Sequence, residues 1–320
     1  MSRLAIQRLV GTGWLVCVGL VCIAAPVPAQ EVSLNWKLRP GEVFYLLTDT
    51  ETRSDSTLKD QTVSQRMRLV MLYRYQVLEA SPNGYVLEHT VEEVDTDNRD
   101  LLGSIFSQMR GVKLKVHMDR SFKITKLEGH EELLRKIGAD DPVAGKVLQE
   151  MVSEASLREQ IQGEFNFLPD KPVKSGDQWE RQFTIPAGPL GSFHLRQKLT
   201  YDGTETVDGK VLDRIRSTAA ASYTLPKGAG DLPVKVSKGE ILEQDWKGTL
   251  WFDREAGRLS RSELNSTYRL RLVLVFAAGK PADTEPSSTM EIKQETKYRS
   301  YVSTERPQLP KLEAPPPRIP

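Results

Sequence analysis

The chain has almost no cysteine. Its only two, Cys17 and Cys22, lie in the first apolar stretch. Arg3 and Arg8 precede a run that is nearly wholly apolar from Leu9 to Ala25, and Val27-Pro28-Ala29 places small residues at the −3 and −1 positions of a cleavage site. This is the pattern of a Sec-type signal peptide with Gln30 as the new N-terminus; a retained membrane anchor is the alternative, but the run is short for a spanning helix. Neither cysteine follows a small residue, so a lipid-modified cysteine is not expected. Cleavage would leave a chain without disulfides, thiolate nucleophiles or cysteine metal sites. About 290 residues can nonetheless bury a substantial core.

An excess of charge is also missing. The chain carries 44 Lys and Arg against 43 Asp and Glu, and the leader accounts for two of the arginines and none of the acids. That balance argues against a nucleic-acid or polyanion binder. No later segment approaches the length of a membrane span, so the expected location is secreted or periplasmic, after cleavage near Ala29-Gln30.

Catalytic patterns are scarce. His130-Glu131 begins like a zinc-protease helix, but position 134 is Leu and the second ligand is lacking. Gly138 to Lys146 has the wrong spacing for a phosphate loop, and Val147 stands where the magnesium-holding hydroxyl belongs. There is no Gly-x-Ser-x-Gly elbow and no Gly-x-Gly-x-x-Gly after a strand. Asp95-x-Asp97 begins like a calcium loop within the acidic run Glu92, Glu93, Asp95, Asp97 and Asp100, but Arg99 and the absent glycine break it. His117 and His194 read as surface or satisfied histidines. No cofactor and no metal site is expected.

What is present is alternation. Met67, Leu69, Met71, Tyr73, Tyr75 and Val77 occupy every second position, as in a strand with one buried face. Tyr85–Val94 and Val112–Met118 continue the pattern, and Asn83-Gly84 reads as a hairpin turn whose two residues need positive φ. Phe193, Leu195, Leu199 and Tyr201 share a face in the second half. Leu264, Tyr268, Leu270, Leu272, Leu274 and Phe276 form a long stripe; Met290, Ile292, Tyr298 and Val302 form another. Trp246 and Trp251 have opposite parity, so Trp251 could face outward. Between the halves, 129–162 reads as short helices: Glu131–Ile137, one from Asp141-Pro142, and one capped by Ser156. Segment 279–288 reads as a hairpin loop, and the proline-rich 305–320 as a disordered tail.

The halves resemble each other. Pro40–Phe44 parallels Ser175–Trp179, Tyr75 parallels Tyr201, Gly84 parallels Gly209, and Met118-Asp119-Arg120 parallels Phe252-Asp253-Arg254, at offsets of 135, 126, 125 and 134. Chance likeness between strand-rich halves is the competing explanation. The expected fold is mainly β: an antiparallel open barrel or two-sheet sandwich, possibly duplicated, with a helical insert. The domain layout is 1–29 signal peptide, 30–304 one β-rich domain (units 33–128 and 163–304 flanking the insert 129–162), and 305–320 tail.

Two motifs carry a family resemblance. Phe167-Leu168-Pro169-x-x-Pro172-Val173-x-x-Gly176-Asp177-x-Trp179 and Gly248-x-x-x-Phe252-Asp253-x-x-x-Gly257-Arg258-Leu259 resemble an uncharacterised family of secreted bacterial domains of unknown function, over roughly 33–303. The resemblance implies structural roles for these residues and no catalytic ones. The function expected is a non-catalytic binding or envelope interaction protein. One alternative is a periplasmic carrier of an apolar ligand or lipid, with a cavity lined by Met71, Tyr73, Tyr75, Leu199, Tyr201, Leu270 and Leu272. A carboxylate-dependent hydrolase is another. The partner expected is a protein or an apolar ligand.

Overall fold

The computed structural model describes residues 31–97, 106–137, 152–226, 234–276 and 287–312. Eleven strands form a single antiparallel sheet: β1 (Val43–Leu58), β2 (Gln61–Ser81), β3 (Gly84–Thr96), β4 (Lys113–Met118), β5 (Ile124–Glu128), β6 (Gln178–Pro186), β7 (Ser192–Val207), β8 (Lys210–Thr224), β9 (Val234–Asp253), β10 (Arg258–Phe276) and β11 (Ser287–Ser303). Their order across the sheet is β5-β4-β3-β2-β1-β11-β10-β9-β8-β7-β6. Two helices are described, α1 (His130–Ile137) and α2 (Glu154–Phe165).

The sheet is not closed by strand pairing, yet its edges converge on α2. On the β5 side, Gln162 Oε1 accepts from the Ile124 N–H at 3.1 Å and Arg158 Nη1 donates to the Ile124 carbonyl at 3.1 Å. On the β6 side, Glu159 Oε2 accepts from the Thr184 N–H at 3.4 Å. A sheet whose two ends touch one helix is curled, and the helix spans its gap. This is the open barrel, in one sheet rather than two; curling with the helix across the gap also covers the edge strands that a flat sheet would expose.

Alternation does place the interior. Leu69, Met71, Tyr73, Tyr75 and Val77 are buried on one face of β2. The outer face carries ion pairs such as Arg271–Glu291, Arg269–Glu243 and Arg299–Glu51. Val70 and Leu72, which break the alternation, are buried too, because Leu309 and Leu312 lie over them together with Leu47 on the outside. Residues 305–312 of the tail expected to be disordered are therefore packed. Arg306 holds them to β3 through Glu93 and through Glu92 at 3.1 Å. Proline bars pairing in a sheet but not packing on its face.

Several local expectations shift. The β2–β3 turn is made by Pro82-Asn83, since Ser81 pairs with Gly84. Gly84 is needed instead for close approach: a Cβ there would collide with the Met118 carbonyl. The turn with two positive φ values occurs at Asp208-Gly209 (51° and 78°) and again at Lys59-Asp60 (47° and 65°). Helix α2 is capped by Ser153, whose Oγ accepts from the Ser156 N–H at 3.2 Å, and it runs on to Phe165. Ser156 is thus inside the helix rather than at its cap. The leader, the helix from Asp141, the loop 279–286 and residues 313–320 fall outside the described residues.

The duplication has a structural counterpart. Arg39-Pro40-Gly41-Glu42 and Lys174-Ser175-Gly176-Asp177 form the same turn. The acid side chain accepts from the N–H three residues back (Glu42 to Arg39, 3.1 Å; Asp177 to Lys174, 3.0 Å). Both glycines have positive φ, 81° and 93°. Gly41 N–H donates to the Val77 carbonyl and Gly176 N–H to the Tyr201 carbonyl, each at 2.8 Å. A bulge follows each acceptor strand residue, between Val77 and Glu79 and between Tyr201 and Gly203. Each strand of β1–β5 thus matches one of β6–β10, and matched strands stand six places apart in the sheet, so they run in the same direction. The hydrogen bonds equate Tyr201 with Val77, two residues from the Tyr75 that the offset of 126 pairs with it, because the two hairpins differ in length beyond the bulge.

Candidate functional site

The curled sheet is not filled. A partly enclosed cavity of about 480 Å³ lies between its inner face and α2. Its cause can be read across the strands. Thr48, Ser300 and Ser262 are aligned neighbours on β1, β11 and β10. All three are buried on the inner face. Three short side chains in one row leave space where leucines elsewhere on these strands fill it. The Ser262 and Ser300 hydroxyls bond each other at 2.8 Å.

Around that row the wall is apolar and aromatic. Phe44 and Leu46 of β1, Tyr73 and Tyr75 of β2, Leu250 of β9, and Tyr298 and Val302 of β11 line it. Trp36, Phe165 and Phe167 form one end, tied down by the Trp36 indole N–H, which donates to the Phe165 carbonyl at 2.9 Å. Among the lining residues, Gln160, Gly163, Gln182 and Ile185 are exposed. These lie on α2 and β6, which places the opening between them.

Helix α2 faces two ways. Leu157, Ile161 and Phe165 recur every four residues and are buried in the core. Ser156, Gln160, Gly163 and Glu164 form the adjoining stripe and line the cavity. Glu164 accepts a hydrogen bond from the Tyr75 hydroxyl. Burial pushes its carboxyl up to about 8, against a smaller lowering by the Tyr75 bond. Burial likewise raises the Tyr73, Tyr75 and Tyr298 phenols well above their ordinary range. Behind Tyr75, its cross-strand neighbour His89 contacts both the Tyr73 and Tyr75 rings, and burial lowers it to about 4. Desolvation disfavours the charged form in each case, so this wall is neutral near pH 7.

Of the seven residues expected around a cavity, Tyr73 and Tyr75 line it. Met71, Leu199 and Tyr201 are packed in the main core, and Leu270 and Leu272 in a second cluster toward the other end of the strands. The expected set consists of large apolar and aromatic residues from three of the stripes. The cavity instead lies where the stripes carry Thr48, Ser262 and Ser300, a signal present in the sequence at inner-face parity. Glu164 and Gln160 gave no such signal, because only the helix's docking shows which stripe faces inward.

Other candidates are accounted for by contacts. Glu92 and Glu93 pair with Arg306, and Asp97 Oδ1 accepts from the Arg68 N–H at 2.6 Å; Asp100 lies outside the described residues. His117 meets Glu128 at 2.7 Å, His194 meets Thr184 at 3.0 Å, and His130 meets the Val152 carbonyl at 3.1 Å. Trp251 is buried, covered by the Arg261 guanidinium 4.4 Å from its ring. In the first motif, the Trp179 indole N–H donates to the Phe167 carbonyl at 2.8 Å, closing the motif on itself. In the second, Phe252 is fully buried, and Asp253 Oδ1 accepts from the Ala256 N–H at 2.8 Å in the β9–β10 turn.

The segment that holds Tyr73, Tyr75, α2 and Gln197 has a counterpart among known families. Residues 73–224 match the model of a family of unknown function (DUF6263). The DUF6263 match runs from the middle of β2 to the end of β8, takes in the motif at 167–179, and stops before the one at 248–259. It agrees with the uncharacterised family that the sequence motifs suggest. No curated protein matches the chain in sequence. Among solved structures, a lipovitellin studied for lipid–protein interactions is 10% identical with a TM-score of 0.41; the match covers 86% of this chain and 27% of that one. A DUF1329 family protein from Desulfovibrio piger is 8% identical with a TM-score of 0.20, over 79% of this chain and 84% of that one. OccK11 (OpdR) of Pseudomonas aeruginosa is 6% identical with a TM-score of 0.18, over 84% and 99%. At these scores the likenesses carry no argument. No helix among the described residues is long and apolar enough to cross a membrane.

Proposed function

We propose that this is a non-catalytic binding protein of the cell envelope that holds an apolar ligand inside its open barrel. The observation that carries the reading is the cavity of about 480 Å³ between the sheet and α2. That volume lies within the range of small-molecule sites, roughly 300–1,000 Å³, and its aromatic walls with a few polar groups match their chemistry. The geometry favours the carrier reading over a purely structural role, which has no use for an interior space. Secretion or a periplasmic location rests on the leader pattern at 1–29 and belongs to the same proposal.

Native mass spectrometry of protein purified from its own host tests the reading. A retained small apolar molecule is expected, and delipidated protein should take up the neutral probe N-phenyl-1-naphthylamine. Ser300→Leu, which fills the row of short side chains, should abolish uptake. Uptake unchanged in that variant would place the probe elsewhere and remove the support.

A further inference from the structure

We infer that the polar end of the ligand is a cationic ammonium group, seated at Glu164 among the side chains of Tyr73, Tyr75 and Tyr298. The inference rests on the carrier reading and specifies its ligand. Three observations carry it. First, Glu164 is set in the cavity wall with one oxygen engaged by the Tyr75 hydroxyl, while the other accepts nothing among the described residues. A carboxyl oxygen in the wall of a largely apolar cavity offers an acceptor to a ligand's donor.

Second, acids outnumber basic groups among the described residues of the lining. Arg181 is the single Lys or Arg in the cavity lining among the described residues. Its Nη2 donates to Asp170 at 2.9 Å and to the Leu168 carbonyl, while its buried Nε has no partner among the described residues. Glu159, on the same helix, adds a second acid near the opening. A fatty-acid carboxylate or a phosphate would meet two acids, Glu159 and Glu164, against one guanidinium already paired with Asp170. Third, the surroundings of Glu164 are aromatic, with Tyr73, Tyr75, Phe165 and Tyr298 all in the lining. Ring faces attract cations, most strongly where water is excluded, and a buried carboxylate completes such a seat.

The charge works out. In the empty cavity burial keeps the Glu164 carboxyl protonated at neutral pH. An entering cation favours the ionised form, and the proton leaves to solvent. The titratable and charged groups that share the cavity lining with the carboxyl among the described residues are Tyr73 and Tyr75 from β2, Tyr298 from β11, Glu159 from α2 and Arg181 from β6, with His89 of β3 behind Tyr75. The tyrosines and His89 are held neutral, so Glu164 is the group that responds.

Titration calorimetry with three matched probes tests this: decyltrimethylammonium, decanol and decanoate, each against full-length protein after delipidation. The ammonium probe should bind roughly tenfold or more tighter than either other probe. In Glu164→Gln that preference should collapse while decanol binding stays within about twofold, since the amide keeps the shape and loses the charge. Ser300→Leu should weaken all three together. Equal or tighter binding of decanol or decanoate by the wild type would overturn the cation assignment and leave the carrier reading standing. An ammonium preference that survives in Glu164→Gln would overturn the role of Glu164. Binding of none of the three would overturn both readings.

Discussion

The two β-units share one skeleton and differ in what they bury. In each, an Asp begins the loop after the fourth strand, and the following Arg reaches back to the third strand. Arg120 Nη1 donates to the Tyr85 hydroxyl, and its guanidinium lies 4.9 Å from the Tyr85 ring centroid. Arg254 Nε donates to Asp213 Oδ2 at 3.0 Å, and Asp213 Oδ1 accepts from the Tyr201 hydroxyl at 2.8 Å. Tyr85 and Asp213 are equivalent, since they pair with Met118 and Phe252, the residues before each Asp-Arg. One unit closes with a guanidinium on an uncharged tyrosine and the other with an ion pair whose acid is buried. A similar split runs through the cavity wall. Tyr73 and His89 stand in stacked contact in the first unit, and their equivalents Gln197 and Ser217 share a 2.8 Å hydrogen bond in the second. A repeated backbone tolerates unlike side chains where each local set is satisfied, and the ligand site draws on the unlikeness.

The largest effect should come from the ion pair. Asp213→Ala leaves Arg254 and the Tyr201 hydroxyl without their acceptor and should cost about 3 kcal/mol in urea unfolding, toward the low end for a broken buried pair because Arg254 is partly exposed. Arg120→Ala, its counterpart, should cost about 1 kcal/mol. Equal costs would break the contrast between the units.

The next effect is in pH. Below pH 4.5 Glu164 is protonated in both folded and unfolded chains. As pH rises to about 8 the unfolded chain loses that proton first, so stability falls across this window. Glu164→Gln should remove a fall on the order of 2–3 kcal/mol between pH 5 and 8. His89 acts in the opposite sense: between pH 6.5 and about 4 only the unfolded chain takes up its proton, so stability falls as pH drops. Its equivalent Ser217 cannot titrate, which confines the sensitivity to the first unit's wall. Parallel pH–stability curves for wild type and Glu164→Gln would contradict the burial of that carboxyl.

The smallest effect sharpens the likeness. A Cβ at Gly41 or Gly176 meets nothing within 4 Å, so substitution there strains only the backbone. Gly41→Ala and Gly176→Ala should each cost about 1 kcal/mol by thermal unfolding, and nearly the same amount as each other. Unequal losses would show that the two turns are alike in hydrogen bonding alone.

Alternation made most of this fold legible. The stripes Leu69 to Val77 and Leu270 to Leu274 are buried as their spacing requires, because a pleated strand turns successive side chains to opposite faces whatever it packs against. The paired Gly-acid turns were visible as repeated residue types. The packing of 305–312 is not legible in the sequence, since Leu309 and Leu312 find their partners Val70 and Leu72 only across the sheet. The cavity was half-legible: Tyr73 and Tyr75 follow from the stripe, whereas the emptiness above Thr48, Ser262 and Ser300 depends on three strands far apart in the chain arriving side by side.

By itself the sequence determined the strands, their inner faces and the repeated turns, because these depend on neighbours within a few residues. Only the tertiary structure decided that the sheet is single and curled, that α2 spans its gap, and that Glu164 faces an aromatic interior. Those outcomes depend on which surfaces meet over long chain separations, and local patterning leaves that choice open.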